Sequence, residues 1–146
     1  ISELEETGIP AEKVCFEITE TAAISNLAVA SDFIRILKGK GCRFALDDFG
    51  SGFSSLLYLK TLSVDYLKID GSFIRNITYE SVDYAMVKAV NEMAQAIGME
   101  TVAEFVESYE VLQLLKDMGV DYAQGYNVGE PLSLTAFFSG MPRSFA

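Results

Sequence analysis

Short apolar segments typical of β-strands alternate with amphipathic segments typical of α-helices along most of this chain. The predicted strands are 14–19, 43–47, 65–69, 101–103 and 121–124. Strand–helix alternation at this spacing predicts an α/β fold with a parallel sheet and right-handed crossovers. The 146 residues are enough for a single domain with a sizeable core.

Helices are predicted between the strands from capping residues and from apolar residues at helical spacing. One helix is capped by Ser25 or Asn26 and carries an apolar stripe at Leu27, Ala30, Ile34 and Leu37. A long helix runs from a cap at Ser81 to Gly98, and another is capped by Ser108. Five apolar residues of the long helix share one face and are expected to be buried: Val82, Met86, Ala89, Met93 and Ile97.

Four of the predicted strands end in a segment that carries carboxylates. These segments are Phe16-Glu17-Ile18-Thr19-Glu20, Leu46-Asp47-Asp48-Phe49-Gly50, Leu67-Lys68-Ile69-Asp70 and Ala103-Glu104-Phe105-Val106-Glu107. A parallel β/α barrel gathers the carboxyl ends of its strands on one face, where its active site lies. Burying so many like charges together is costly unless cations neutralise them. The pattern therefore predicts a metal-dependent active site.

Composition removes several classes of function. The net charge is −10 without a cluster of Lys or Arg, which argues against DNA or RNA polymers as partners. Histidine is absent, which excludes a Ser-His-Asp triad and the usual His-rich zinc sites. Cys15 and Cys42 lie in apolar runs without metal-ligand spacing and are expected to be buried thiols in a reducing compartment.

In this order, the four acidic segments together with Gln124-Gly125-Tyr126 resemble the EAL family of bacterial cyclic-di-GMP phosphodiesterases. The resemblance implies a partial TIM-type (β/α) barrel, with about five strand–helix units of an EAL barrel. It also implies hydrolysis of cyclic di-GMP to the linear dinucleotide pGpG with Mg²⁺ or Mn²⁺ in a two-metal site. Hard cations of this kind prefer carboxylate oxygens, in accord with the acidic set.

The resemblance also implies roles for single residues. The metal ligands would be Glu17, Asp47, Asp48 and Glu104, with Asp47 bridging the two ions and Glu104 serving the second metal or acting as general base. Lys68 would orient or polarise the attacking water.

Four further residues would assist. Asp70 would lie in the same polar cluster as Lys68. Glu107 and Gln124 would support the site, and Glu20 would hold the loop 48–55. Structural alternatives stay open at this point, because Lys68 and Asp70 can form a simple ion pair and a carboxylate such as Glu107 also favours a helix start.

The chain departs from the family pattern in two ways. The Glu-Ala/Val-Leu motif and the following asparagine strand are absent, and both precede the region that matches Ile1. We therefore expect residues 1–146 to be the carboxyl-terminal part of a single EAL domain, active in the intact parent and inactive or very weak alone. The second departure is Phe105, where many members carry Gly and where we expect Phe to be tolerated.

Other functions remain open beside hydrolysis. Degenerate family members act as cyclic-di-GMP receptors or as protein-interaction modules, and a divalent-metal lyase or aldolase on the same barrel is a more distant alternative. The family resemblance further implies a homodimer and sensory or GGDEF domains in the parent chain. The expected location is the cytoplasm, with or without a membrane tether on the parent.

Overall fold

A computed structural model, which describes residues 6–50 and 56–140, contains one sheet of five parallel strands. The strands are β1 (Cys15–Thr19), β2 (Arg43–Phe49), β3 (Tyr66–Ile69), β4 (Glu100–Ala103) and β5 (Tyr122–Ala123). They lie side by side in chain order, and each pairs in parallel with the next. The predicted parallel α/β architecture is confirmed.

In the described residues, α-helices connect successive strands except β2 and β3, which have a 3₁₀ turn between them, and one helix follows the last strand. They are α1 (Glu20–Ser25), α2 (Leu27–Lys38), α3 (Gly71–Ile74), α4 (Ser81–Ala96), α5 (Tyr109–Asp117) and α6 (Leu134–Gly140), with 3₁₀ turns at Ala11–Lys13 and Leu56–Lys60. The sequence did not predict α1 and α3, because helices this short carry no readable apolar period. Each begins directly at a strand end, where the side chain of Thr19 or Asp70 accepts a hydrogen bond from the first turn.

The core lies between the sheet and the helices that cover it. Leu46 and Leu67 on neighbouring strands are fully buried, as are Ile34 of α2 and Val87 of α4. Because side chains alternate across a strand, the polar residues that flank these core positions point to the opposite, concave face of the sheet. The strand ends therefore present their charged side chains on that face.

The predicted buried face of α4 is wrong except at Met93, which is partly buried against the core. Val82 and Met86 are 68% and 43% exposed, whereas Val87, Asn91 and Ala94 are buried. The side chain of Asn91 donates a hydrogen bond to the Met118 carbonyl and accepts one from a threonine of β4. The face of α4 that packs on the sheet thus includes a buried polar residue whose hydrogen bonds are satisfied. The most apolar stripe of the helix is therefore not the buried one.

The expectation for the two cysteines is half right. Cys42 is buried, but Cys15 is exposed. Cys15 shares the concave face of β1 with Glu17, and the five described strands leave that face open to solvent.

Within the described ranges, none of the helices combines the length and the apolar character that crossing a bilayer would require.

Candidate active site

An irregularity in β2 brings two consecutive acids to one side of the sheet. Leu46 lies opposite Leu67 and Phe49 lies opposite Ile69, so the stretch of β2 holds one residue more than the stretch of β3 it pairs with. Such a β-bulge bends the strand and re-aims its side chains. Asp48 lies in the bulge with a φ of 56°, which lets it follow Asp47 instead of pointing to the opposite face.

Three carboxylates meet beside this bulge and form what we call the acidic trio. Asp47, Asp48 and Glu104 each offer one oxygen, and these oxygens lie within 4.8 Å of one another. They come from the ends of β2 and β4, which flank β3 in the sheet. The trio therefore brings together three of the four predicted metal ligands.

A buried lysine at the end of β3 holds this acidic set together. Lys68 is only 5% exposed. Its Nζ lies 2.8 Å from Asp47 Oδ1, 2.8 Å from Glu104 Oε1 and 3.2 Å from Glu17 Oε2. Burial would by itself lower the pKa of Lys68, but its close ion pairs with these carboxylates outweigh burial, so the pKa is raised well above its usual range. Lys68 is therefore a permanent cation among three acids.

Glu104 feels the opposite influences. Burial raises the pKa of its carboxyl group, and the charges of Asp47 and Asp48 raise it further, while Lys68 opposes them. The single ammonium group of Lys68 therefore only partly compensates the three negative charges of the acidic trio. An additional positive charge at this place would stabilise all three carboxylates.

One oxygen of the trio has an unused bonding capacity. Asp47 Oδ1 is buried and makes an ion pair with Lys68 but no hydrogen bond of acceptable geometry. A buried carboxylate oxygen without a hydrogen-bond donor is unfavourable unless another partner is supplied. Carboxylate oxygens are the donors that Mg²⁺, Mn²⁺ and Ca²⁺ prefer, so the residues present fit a hard divalent cation.

The other predicted site residues on these strands are placed less centrally. Glu17 reaches Lys68 but its side chain is half exposed, and it does not belong to the acidic trio. Asp70 does not contact Lys68 in the described structure: its Oδ1 accepts a hydrogen bond from Ser72 N at 2.8 Å and caps α3. The simple Lys68–Asp70 ion pair is therefore not formed, and a chemical role for Asp70 stays a prediction.

Glu107 and Gln124 lie at the edge of the same region. Both are exposed, and both line a cleft that also includes Glu104, Phe105 and Tyr126. The backbone carbonyl of Gln124 accepts a hydrogen bond from Val106 N, which ties the segment after β5 to the end of β4. Their side chains are available to a molecule that enters this cleft, and their supporting role stays a prediction.

Glu20 lies behind the site and is almost completely buried. One of its carboxylate oxygens accepts a hydrogen bond from Gly50 N at 3.0 Å, and the other accepts one from the Tyr58 hydroxyl. Glu20 thus joins Gly50, in the loop predicted at 48–55, to the 3₁₀ turn Leu56–Lys60 that contains Tyr58. Residues 51–55 of that loop lie outside the described residues. Tyr58 was not predicted, because its partner is 38 positions away in the chain.

This buried contact predicts a pH-dependent stability. Burial, and then the hydrogen bond to Glu20, raise the pKa of Tyr58 above its ordinary value of about 10. The folded state therefore retains the phenolic proton where the unfolded chain loses it. The stabilisation is fully present below about pH 10 and is lost as the pH rises toward the folded-state pKa.

We expect Tyr58→Phe to lower the free energy of unfolding by about 2 kcal/mol near neutral pH, because a buried charged acceptor loses its donor. The difference between variant and wild type should shrink above about pH 10. Urea unfolding at about pH 8 and about pH 11 measures both effects, with the exposed Tyr79→Phe as control. A difference that stays constant with pH would contradict this assignment.

Sequence reasoning also missed the backbone conformation of Phe105, which has a φ of 54°. Glycine adopts this region readily, whereas a bulky side chain seldom does. The preference for Gly at this position in the resembling family was the available signal.

Fold and site together define an α/β protein of the TIM-barrel type with a carboxylate cluster at the carboxyl ends of its strands. Comparison with known proteins shows which family of TIM-barrel proteins the chain resembles. The family model described as the EAL domain matches residues 1–131. The chain is 50% identical over 129 residues to the cyclic di-GMP phosphodiesterase PdeB of Shewanella oneidensis, covering 88% of this chain and 15% of PdeB.

Solved structures agree with the sequence comparison. The PaMucR phosphodiesterase in complex with c-di-GMP superposes with a TM-score of 0.88 at 31% identity, over 93% of this chain and 55% of that one. The manganese/cy-diGMP complex of Klebsiella pneumoniae BlrP1 gives a TM-score of 0.79 at 30% identity, over 86% of this chain and 32% of that one.

The chain belongs to the EAL domain family. The family resemblance and the partial-barrel fold predicted from the sequence are thereby confirmed. The chain spans 15% of the length of PdeB and 55% of the PaMucR chain, so it represents only a part of these relatives.

Proposed function

We propose that residues 1–146 form the carboxyl-terminal part of an EAL domain that hydrolyses cyclic di-GMP to linear pGpG with divalent cations. The acidic trio around Lys68 carries this proposal. It occurs in a chain that is 50% identical, over the matched region, to a protein named as a cyclic di-GMP phosphodiesterase. Cations held by such a cluster would suit the substrate, because a phosphodiester is an anion that this acidic protein would otherwise repel.

The residues proposed to hold Mg²⁺ or Mn²⁺ are the acidic trio and Glu17. Asp47 is the proposed shared ligand, since its buried Oδ1 makes an ion pair with Lys68 but accepts no hydrogen bond. A bound divalent cation supplies Lewis-acid polarisation of the phosphoryl group and lowers the pKa of a bound water. Metal use by an EAL structure is supported by the manganese complex of BlrP1.

Lys68 has two proposed tasks. Its Nζ separates the carboxylates of Glu17, Asp47 and Glu104 and keeps them oriented toward the site. We also propose that Lys68, as a buried cation, orients or polarises the attacking water. Glu104, at the end of the neighbouring strand, is the proposed acceptor for the proton of that water.

We further propose that residues 1–146 alone are inactive or very weak, because the first metal-binding motif of the family precedes the matched region. In the intact protein we expect a homodimer, with sensory or GGDEF domains in the same chain. These expectations rest on the family and on the small share of PdeB that the chain covers.

The test is hydrolysis of cyclic di-GMP by the intact protein, followed by chromatography of the product. We expect pGpG to form with Mg²⁺ or Mn²⁺, and we expect chelation with EDTA to abolish turnover and restored cation to recover it. Tight binding of cyclic di-GMP without turnover would contradict the enzyme and favour a receptor. Absence of both binding and turnover would favour a protein-interaction module.

A further inference from the structure

Phe105 holds a backbone conformation that its side chain disfavours. Its φ of 54° lies in the left-handed region, where a bulky residue persists only if its surroundings fix it. The residue is also 47% exposed, so burial of the ring in the core does not explain the conformation.

The polypeptide changes its pairing partner at this residue. Glu104 N donates a hydrogen bond to the Ile69 carbonyl of β3 at 3.3 Å. Two residues later, Val106 N donates one to the Gln124 carbonyl at 3.0 Å, on the side of β5. The left-handed turn at Phe105 therefore directly follows the residue whose carboxylate belongs to the acidic trio, at the point where the chain leaves β3 for β5.

The ring of Phe105 is held by Gly71 of α3 and by Arg75, which directly follows α3. A Cβ atom placed on Gly71 would lie 2.1 Å from Cδ2 of Phe105, so the ring occupies the space that a side chain at position 71 would need. The guanidinium carbon of Arg75 lies 4.6 Å from the ring centroid, at cation–π distance. We call the surface formed by Gly71 and Arg75 the α3 notch.

The contact between ring and α3 notch joins the two strand ends that carry the site. Gly71 follows β3, three residues after Lys68, and Phe105 directly follows Glu104 at the end of β4. The Lys68 ammonium and the Glu104 carboxylate are only 2.8 Å apart. A shift of the ring against the notch would move one of these groups relative to the other.

We propose that Phe105 is a positioning residue, whose ring in the α3 notch fixes the Glu104 carboxylate within the acidic trio. An effect of Phe105 on catalysis rests on the proposed function, whereas its effect on cation binding can be measured without turnover. Outer residues that orient metal ligands influence metal affinity by about 10- to 100-fold.

A double-mutant cycle on the intact protein, read out as Mn²⁺ affinity by calorimetry, tests the proposal. Phe105→Gly removes the ring and should weaken Mn²⁺ binding by about tenfold. Gly71→Ala places a methyl group where the Phe105 ring now lies and should also weaken Mn²⁺ binding by about tenfold. The double variant should also lie about tenfold below wild type, whereas independent sites would give about a hundredfold.

Three further variants separate positioning from general damage. Phe105→Tyr keeps the ring and should retain Mn²⁺ affinity within about twofold. Arg75→Ala removes only the cation–π contact and should cost about threefold. Phe137→Ala removes a phenylalanine of equal exposed fraction from α6 and should leave Mn²⁺ affinity unchanged.

Unchanged Mn²⁺ affinity in Phe105→Gly, or independent effects in the cycle, would overturn the proposal. So would a loss of cyclic di-GMP affinity at unchanged Mn²⁺ affinity, because the ring would then be a ligand contact. Wild-type protein that binds Mn²⁺ but does not hydrolyse cyclic di-GMP would refute the proposed function alone, and the cycle would still decide the role of Phe105.

Discussion

Asp47→Asn is expected to lower kcat/KM for cyclic di-GMP by about a thousandfold or more. A carboxylate oxygen of Asp47 lies within 4.8 Å of an oxygen of each other member of the acidic trio, and Asp47 Oδ1 lies 2.8 Å from Lys68 Nζ. The negative charge of Asp47 is therefore needed both for the proposed cation binding and for the ion pair with Lys68. The substitution keeps the shape of the side chain and removes the negative charge. A metal ion contributes several kcal/mol to transition-state stabilisation, which corresponds to this factor.

Steady-state hydrolysis at several Mn²⁺ concentrations measures the effect of Asp47→Asn. The matched control is Asp32→Asn, at an exposed aspartate paired with Arg35 on α2, and it should retain kcat/KM within about twofold. If Asp47→Asn kept more than about a tenth of the wild-type value, Asp47 would not be the shared metal ligand.

Lys68→Met is expected to lower the free energy of unfolding by about 3–5 kcal/mol when no divalent cation is present. The side chain of Lys68 is 7% exposed and pairs with three carboxylates. Its removal leaves these acids without a counter-charge in a largely buried place, which is far more costly than loss of a surface pair. Added Mn²⁺ should recover part of the loss, because it binds the same oxygens in the folded state.

Denaturant unfolding of the two proteins, with EDTA or with Mn²⁺, measures this stability difference. Lys88→Met serves as the control, since Lys88 lies 4.0 Å from Glu92 and both side chains are more than half exposed. It should change the free energy of unfolding by less than about 0.5 kcal/mol in either condition. A loss in Lys68→Met no larger than in this control would refute the role of Lys68 in holding the acids.

The fold was readable from the sequence because its strands and helices follow simple periods. The apolar stripe of α2 was predicted with the correct inner residues, Ile34 and Leu37. The buried face of α4 was not predicted correctly, because it contains Asn91, a polar residue whose side-chain amide makes its hydrogen bonds inside the protein. Periodicity reports hydrophobicity, and it cannot anticipate a buried hydrogen bond.

The acids of the site were also visible as strand-end residues, but their grouping was not. Asp47 and Asp48 are consecutive, and an unbroken strand would have placed them on opposite faces. Only the bulge opposite β3 brings them together, and a bulge depends on the register of two strands. The contact of Phe105 with Gly71 is likewise set by the approach of α3, which follows β3, to the segment that follows β4.

An anomalous difference map from crystals of the intact protein grown with Mn²⁺ shows directly whether the acidic trio binds a divalent cation. We predict a manganese peak about 2.0–2.6 Å from carboxylate oxygens of Asp47, Asp48 and Glu104. Soaking the same crystals in EDTA should remove the peak. A map with ordered strand ends but with no manganese on these three residues would contradict the central claim that the acidic trio is a divalent-cation site.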